Sequence, residues 1–170
     1  MEDCGRSSQP DCGWEELISV ALICTANRCR SVIAHAILSS EVEKRSLPIE
    51  VYSAGVLDFR DAPPVDDTLK TCLDHKTPSP KEQPTWVSEL PLDSITQFLV
   101  MENYHVDQLV HEFGISPERI NLLGEFDPLG RGDEIDDPFG RSIAVYTRCY
   151  QRVRDCLLNY LETLEETAVR

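Results

Sequence analysis

Val20-Ala21-Leu22-Ile23-Cys24-Thr25-Ala26-Asn27-Arg28-Cys29-Arg30-Ser31 is the stretch on which the reading of this chain turns. The apolar run from Leu17 to Ile23 predicts a buried strand, Leu17–Cys24. After Ser31 the apolar residues Val32, Ile33, Ala36 and Ile37 recur at helical spacing, which predicts a helix over 31–45. Cys24 therefore stands where a strand turns into a helix. The first turn of a helix presents unpaired N–H groups and the positive end of the macrodipole. Such a place binds phosphate-like anions and favours a thiolate over a thiol.

Outward from that stretch, strands and helices alternate. Pro48 breaks the chain, and Ile49–Ser53 reads as a second strand with a turn at Ala54-Gly55. Val65, Leu69, Cys72 and Leu73 have helical spacing, whereas residues 77–94, rich in Pro, Ser and Thr, carry no clear period. Ile95–Met101 reads as a third strand. Asn103 is placed to cap a helix with the apolar face Val106, Leu109, Val110 and Phe113, ended by Gly114. Ser116-Pro117-Glu118 suggests one helical turn, and Ile120–Leu123 a fourth strand. A polar loop, Gly124 to Arg141, precedes a last helix whose apolar face runs from Ile143 through Tyr146, Cys149, Tyr150, Val153, Cys156 and Leu157 to Leu164. The alternation predicts an α/β fold with a parallel sheet covered on both faces. In such folds ligands bind at the carboxyl ends of the strands, where Cys24 lies.

The chain has 170 residues, 41% of them hydrophobic, which suits one domain at 17–170 behind a loose tail at 1–16. The net charge is −14. A surface that acidic argues against nucleic acid or an anionic membrane as partner, and no run approaches the length of a membrane span. The polar, acidic N-terminus is not a signal peptide. Seven cysteines, an odd number, then suit reduced thiols and a cytoplasmic location. Cys149 and Cys156 fall on one helical face and read as packing. There is no CxxC, and the four histidines lack ligand spacing, so no metal is expected. Gly130-x-Gly132 lacks a third glycine and reads as loop rather than a nucleotide fingerprint.

The residue types between Cys24 and Ser31 suit phosphoryl transfer to sulfur. The amides of Thr25, Ala26, Asn27, Arg28 and Cys29 can cradle non-bridging phosphate oxygens. Arg30 can hold two of them through its planar fork. Ser31 can donate a hydrogen bond to the thiolate, and Asn27 tolerates the left-handed backbone of a tight loop. A leaving group needs an acid. Asp137, in Asp136-Asp137-Pro138-Phe139-Gly140, can fold over the same sheet end, with Asp136 as the fallback.

CTANRCRS at 24–31, YSAGV at 52–56 and DPFG at 137–140 ahead of a long final helix resemble the low-molecular-weight protein tyrosine phosphatase family, in that family's motif order and over nearly the whole chain. The resemblance implies a three-layer sandwich with a four-stranded parallel sheet. It also implies two-step hydrolysis of phosphotyrosine through a phosphocysteine, with no metal or organic cofactor. Cys24 would be the nucleophile, Arg30 the phosphate ligand, and Asp137 the acid and then the base. Asn27, Ser31 and Ser53 would support the loop. Phe59 and Phe139, with Arg28 at the mouth, would line the substrate pocket. Cys29 would be able to form a reversible disulfide with the nucleophile. The implied partner is a phosphorylated protein, met by a monomer or weak dimer.

Some positions depart from the family pattern. Ala26 stands at a usual glycine, Val32 at a usual proline and His35 at a usual glutamate; His35 reads as a solvated or capping histidine. The segment near residue 82, Pro-Ser-Pro-Lys-Glu-Gln-Pro-Thr, holds no equivalent of the family's loop-supporting histidine. Arg28 matches neither the apolar residue usual in tyrosine phosphatases nor the threonine of the arginine phosphatase branch, which DPFG also resembles. Its charge is expected to disfavour phosphoarginine and to favour acidic residues beside phosphotyrosine. The alternatives are a protein arginine phosphatase of the same family, or a catalytically weak phosphate-binding or redox-sensing module. An arsenate reductase would need a further cysteine pair, and Cys72 alone lies between Cys29 and Cys149.

Overall fold

The apolar run that opens the chain is the centre of the sheet. In the computed structural model, which describes Trp14 and residues 16–169, strand β1 (Ile18–Cys24) pairs with β2 (Ile49–Gly55) on one side and β3 (Gln97–Val100) on the other. β4 (Ile120–Leu122) joins beyond β3, giving four parallel strands in the order β2-β1-β3-β4. A strand covered on both faces needs no polar alternation. Val20, Leu22 and Cys24 face a cluster with Ile33, Ile37, Tyr150, Val153 and Leu157, while Ala21 and Ile23 face Phe98, Val100, Leu109 and Val87.

Helices α1 (Arg30–Arg45), α2 (Asp66–Asp74) and α4 (Ile143–Ala168) cover the first face, and α3 (Asn103–His111) the second. The chain leaves β1 toward β2 and later crosses back to β3. The strand order therefore reverses between β1 and β3, and a crevice opens at their carboxyl ends. Cys24 and Glu102 stand there.

Three local expectations are corrected, and one unassigned segment gains structure. Ala54 and Gly55 do not turn; they continue β2 opposite Ile23 and Cys24. Glycine serves close approach here, since a Cβ on Gly55 would lie 2.7 Å from the Ala26 backbone. Glu102, not Asn103, is the N-cap position of α3. Asn103 is the first helical residue, and its amide and side chain both donate to Glu134 Oε1. Leu73 is 63% exposed rather than on the packed face, because α2 ends one residue later. Residues 77–94 include a 3-10 turn, Val87–Glu89, and a bridge from Trp86 to Gly55.

The long loop before α4 is tied down. It starts with a 3-10 turn, Leu123–Phe126, and then buries Asp127 against Arg131 (2.9 Å) and Arg152 (3.1 Å). Burial pushes Asp127 up, but these arginines and the Leu129 amide outweigh it and hold the carboxyl at about 2. Cys72, Cys149 and Cys156 are buried in the core. Of the tail expected at 1–16, residues 1–13 and 15, including Cys4 and Cys12, lie outside the described residues; Trp14 packs against the core.

Candidate active site

β1 delivers Cys24 to the crevice and α1 begins six residues later, so the intervening backbone must curl into a loop. Val56 N–H donates to Cys24 O (3.1 Å) and Leu57 N–H to Thr25 O (2.9 Å), continuing the β2 edge around the curl. Asn27 takes φ 55°, the left-handed conformation that closes it. Among the described residues no protein acceptor takes the amides of residues 25–30. Those donors are left for an anion, at the end of a 16-residue helix.

Cys24, Thr25, Ala26, Arg28, Cys29, Arg30, Phe59, Asp137 and Phe139 line one pocket of about 220 Å³. Cys24 forms its floor and is 3% exposed. Its Sγ lies 2.9 Å from Ser31 Oγ. Arg30 is buried, with one guanidinium nitrogen 2.8 Å from Ile135 O and 3.0 Å from Glu102 Oε2. The other nitrogen is 3.6 Å from Asp137 Oδ2. Burial opposes the charge of Arg30, but Cys24, Asp137 and Glu102 outweigh it and push the pKa up. Arg30 is thus a fixed cation at the pocket edge.

Asp137 is 47% exposed at the rim. Its Oδ1 accepts the Phe139 N–H (3.1 Å), which turns Asp137 and Phe139 toward the same opening. Asp136, the fallback acid, lines a different depression, with Arg141, Arg148 and Arg152. Phe59 and Phe139 face the opening with 40% and 59% exposure. The loop that carries Phe59 is held by Arg60, which pairs with Asp58 (2.7 Å) and Glu89 (3.1 Å) and stacks over Trp86. Arg28 Nε donates to Pro63 O (2.8 Å), and its guanidinium lies 6.0 Å from the Phe139 ring centroid. Cys29 Sγ is 3.7 Å from Tyr146 Oη, and burial pushes its thiol up.

Behind the loop, Asn27, Ser31 and Ser53 meet as the resemblance implied, together with His35, Lys81 and Thr85, which it did not. Asn27 Nδ2 donates to Ser31 Oγ (2.7 Å) and Ser53 Oγ (3.2 Å), and Asn27 Oδ1 accepts from Thr85 N–H (2.9 Å). His35 is not a solvated or capping residue: its Nδ1 is 2.7 Å from Ser53 Oγ. It lies four residues after Ser31, on the same face of α1, which is turned inward. In the segment near residue 82, Lys81 Nζ reaches Ser53 O (3.4 Å) and Thr85 Oγ1. On the other side, His105 Nδ1 accepts the Glu102 N–H (3.1 Å), which leaves Nε2–H to donate to Thr25 Oγ1 (2.9 Å). Burial first, then the Arg30 charge, lower His105 to about 3, so it is neutral.

Among the described residues no cluster of three or more His, Cys, Asp or Glu could hold a metal, and no helix is long and apolar enough to cross a membrane.

Comparison with known proteins matches residues 19–170 to the low molecular weight phosphotyrosine protein phosphatase family model. A protein-arginine-phosphatase of Geobacillus stearothermophilus is 30% identical over 86% of this chain and 93% of its own. A low molecular weight protein-tyrosine-phosphatase, PtpB of Staphylococcus haemolyticus, is 30% identical over 79% and 91%. The solved YwlE arginine phosphatase mutant with a phosphorylated active-site serine superposes with a TM-score of 0.77, at 25% identity, over 86% of this chain and 95% of that one.

Proposed function

Because the chain belongs to the low molecular weight phosphotyrosine protein phosphatase family, we propose that it hydrolyses phosphotyrosine in proteins through a phosphocysteine at Cys24. The observation that carries this is the meeting of Cys24, Arg30 and Asp137 in one aromatic-walled pocket. Cys24 sulfur attacks phosphorus and the bond to the tyrosine oxygen breaks. Arg30 and the amides of residues 25–30 hold the three non-bridging oxygens, best in the transition state where their charge is spread. Asp137 gives its proton to the leaving phenol oxygen. It then takes a proton from the water that attacks the phosphocysteine, releasing phosphate and the thiolate. The phosphorylated serine in the YwlE mutant supports phosphoryl transfer to the residue in this position. No step needs a metal or organic cofactor.

Phe59 and Phe139 flank the tyrosine ring. Arg28, held by Pro63 O beside Phe139, places a cation at the mouth. It repels the guanidinium of phosphoarginine and attracts acidic residues next to phosphotyrosine. The relatives named as arginine phosphatases keep phosphoarginine as the second reading. Cys29, adjoining Cys24 in the pocket, is the partner for a reversible disulfide that protects the nucleophile from further oxidation. The acidic composition, the free buried thiols and the lack of a long apolar run support a cytoplasmic monomer or weak dimer whose partner is a phosphorylated protein, not nucleic acid or membrane.

A side-by-side phosphate-release assay on a phosphotyrosine peptide and a phosphoarginine peptide, with Cys24→Ser as the blank, tests the reading. Faster release from phosphotyrosine that is lost in the blank supports it. Preference for phosphoarginine moves the protein to the second reading. Release from neither leaves a phosphate-binding or redox-sensing module.

A further inference from the structure

The hydrogen bonds behind the phosphate loop admit a set of proton directions that gives every buried hydroxyl proton an acceptor. Thr85 N–H can only donate, so the Asn27 atom it meets is the oxygen, and the Asn27 nitrogen gives its two protons to Ser31 Oγ and Ser53 Oγ. Ser31, having accepted from Asn27, turns its own proton to Cys24 Sγ at 2.9 Å. Ser53, having also accepted, must place its own proton elsewhere. Ser53 is 2% exposed, so water does not take it, and the acceptor within reach is His35 Nδ1 at 2.7 Å. In this set Nδ1 is unprotonated and the neutral ring carries its proton on Nε2.

We propose that His35 is a positioning residue: as the terminal acceptor of this chain, it fixes the proton directions that keep the Ser31 hydroxyl pointed at the Cys24 sulfur. This rests on the reading of Cys24 as the nucleophile. A ring that donated through Nδ1, or an apolar side chain, would leave the buried Ser53 proton without an acceptor. Asn27 would then be drawn out of its double donation, and the Ser31 proton with it. Burial, and after it the Lys81 ammonium, push His35 down to about 4, which keeps the ring neutral at neutral pH, so that one ring nitrogen is free to accept. Lys81 also clamps Ser53 O and Thr85 Oγ1, through other atoms of the two residues between which Asn27 is strung.

Two polar substitutions separate this role from packing. Asn at position 35 puts its amide oxygen near the place of Nδ1, whereas Gln puts its polar end near the place of Nε2. The measurements are the pH dependence of Cys24 alkylation by iodoacetamide, and kcat and KM on p-nitrophenyl phosphate. Thermal unfolding confirms that both variants are folded. His35→Asn is expected to stay within about threefold of the parent kcat. His35→Gln is expected to lose about tenfold in kcat with KM little changed, the loss of one orienting hydrogen bond. Its alkylation midpoint should move up by about one pH unit. If Asn and Gln behave alike, whether both match the parent or both fall equally, or if Asn is the worse, the proposal is overturned. Alkylation reads the thiol directly. A protein without phosphatase activity would therefore sink the functional reading while still testing His35.

Discussion

The back and the mouth of the phosphate loop are built on opposite principles. Behind it, Asn27, Ser31, Ser53 and His105 are fully or almost fully buried polar groups; Asn27 is hydrogen-bonded to Ser31 and Ser53, and His105 to Thr25. In front, Phe59, Asp137 and Phe139 are roughly half exposed and held by few bonds. Buried polar groups cost stability unless all are satisfied, so once satisfied they permit one geometry. The exposed rim is free to vary at little cost. On the proposed function, transition-state binding rests on the loop that the back holds in place, and leaving-group chemistry and substrate choice rest on the mouth.

The contrast breaks first at Arg30, the one charge that belongs to both regions. Arg30→Lys keeps the charge and loses the planar fork, and is expected to lower kcat by about 10³-fold with the fold retained. A loss under about tenfold would mean that the loop amides alone hold the phosphoryl group.

Next comes the acid at the rim. Asp137→Asn should slow hydrolysis of phenyl phosphate by about 10²-fold or more, and hydrolysis of an ester with a strongly acidic phenol far less. Equal slowing of both esters would place the acid elsewhere.

The back has its own signature in pH. His35 and His105 are held at about 4 and about 3, against an ordinary value of 6.5. The unfolded chain thus binds their protons more readily than the folded one. Their neutral burial costs nothing above pH 6.5. Stability falls as pH drops through 6.5, and the loss levels off only near 4 for His35, at about 3 kcal/mol, and near 3 for His105, at about 5 kcal/mol. Urea unfolding between pH 7.5 and 4 measures it. In the double variant His35→Asn, His105→Asn the slope over this window should flatten, and an unchanged slope would remove the histidines as its source.

The smallest effect belongs to the mouth. Arg28→Ala should reduce the preference for acidic residues beside phosphotyrosine by about three- to fivefold and leave kcat on p-nitrophenyl phosphate unchanged, since a solvent-facing charge contributes at most about 1 kcal/mol. An unchanged phosphotyrosine/phosphoarginine rate ratio would deny Arg28 a part in substrate choice.

What was legible in the sequence follows the same division. The Cys24–Ser31 loop could be read because strand, anion loop and helix are contiguous in the chain. Asp137 could be read from its place beside proline in a late loop. Glu102 and His105 could not. They reach Arg30 and Thr25 only because β3 lies next to β1, and strand order is not written in local pattern. Ile135 holds Arg30 through a backbone carbonyl, which no side chain announces. Gly55 read as a turn because glycine often makes one, whereas here its missing Cβ lets β2 touch the loop. His35 reads as solvated and Lys81 carries no signal because their partner, Ser53, is brought to them by the sheet.

The central claim is that Cys24 carries the phosphoryl group between substrate and water. Rapid acid quenching of the Asp137→Asn protein during turnover of a phosphotyrosine peptide, followed by intact-mass and peptide analysis, tests it directly. The account predicts one added phosphoryl group per chain, on Cys24, absent from Cys24→Ala. Turnover with no adduct, or an adduct on another residue, would contradict it.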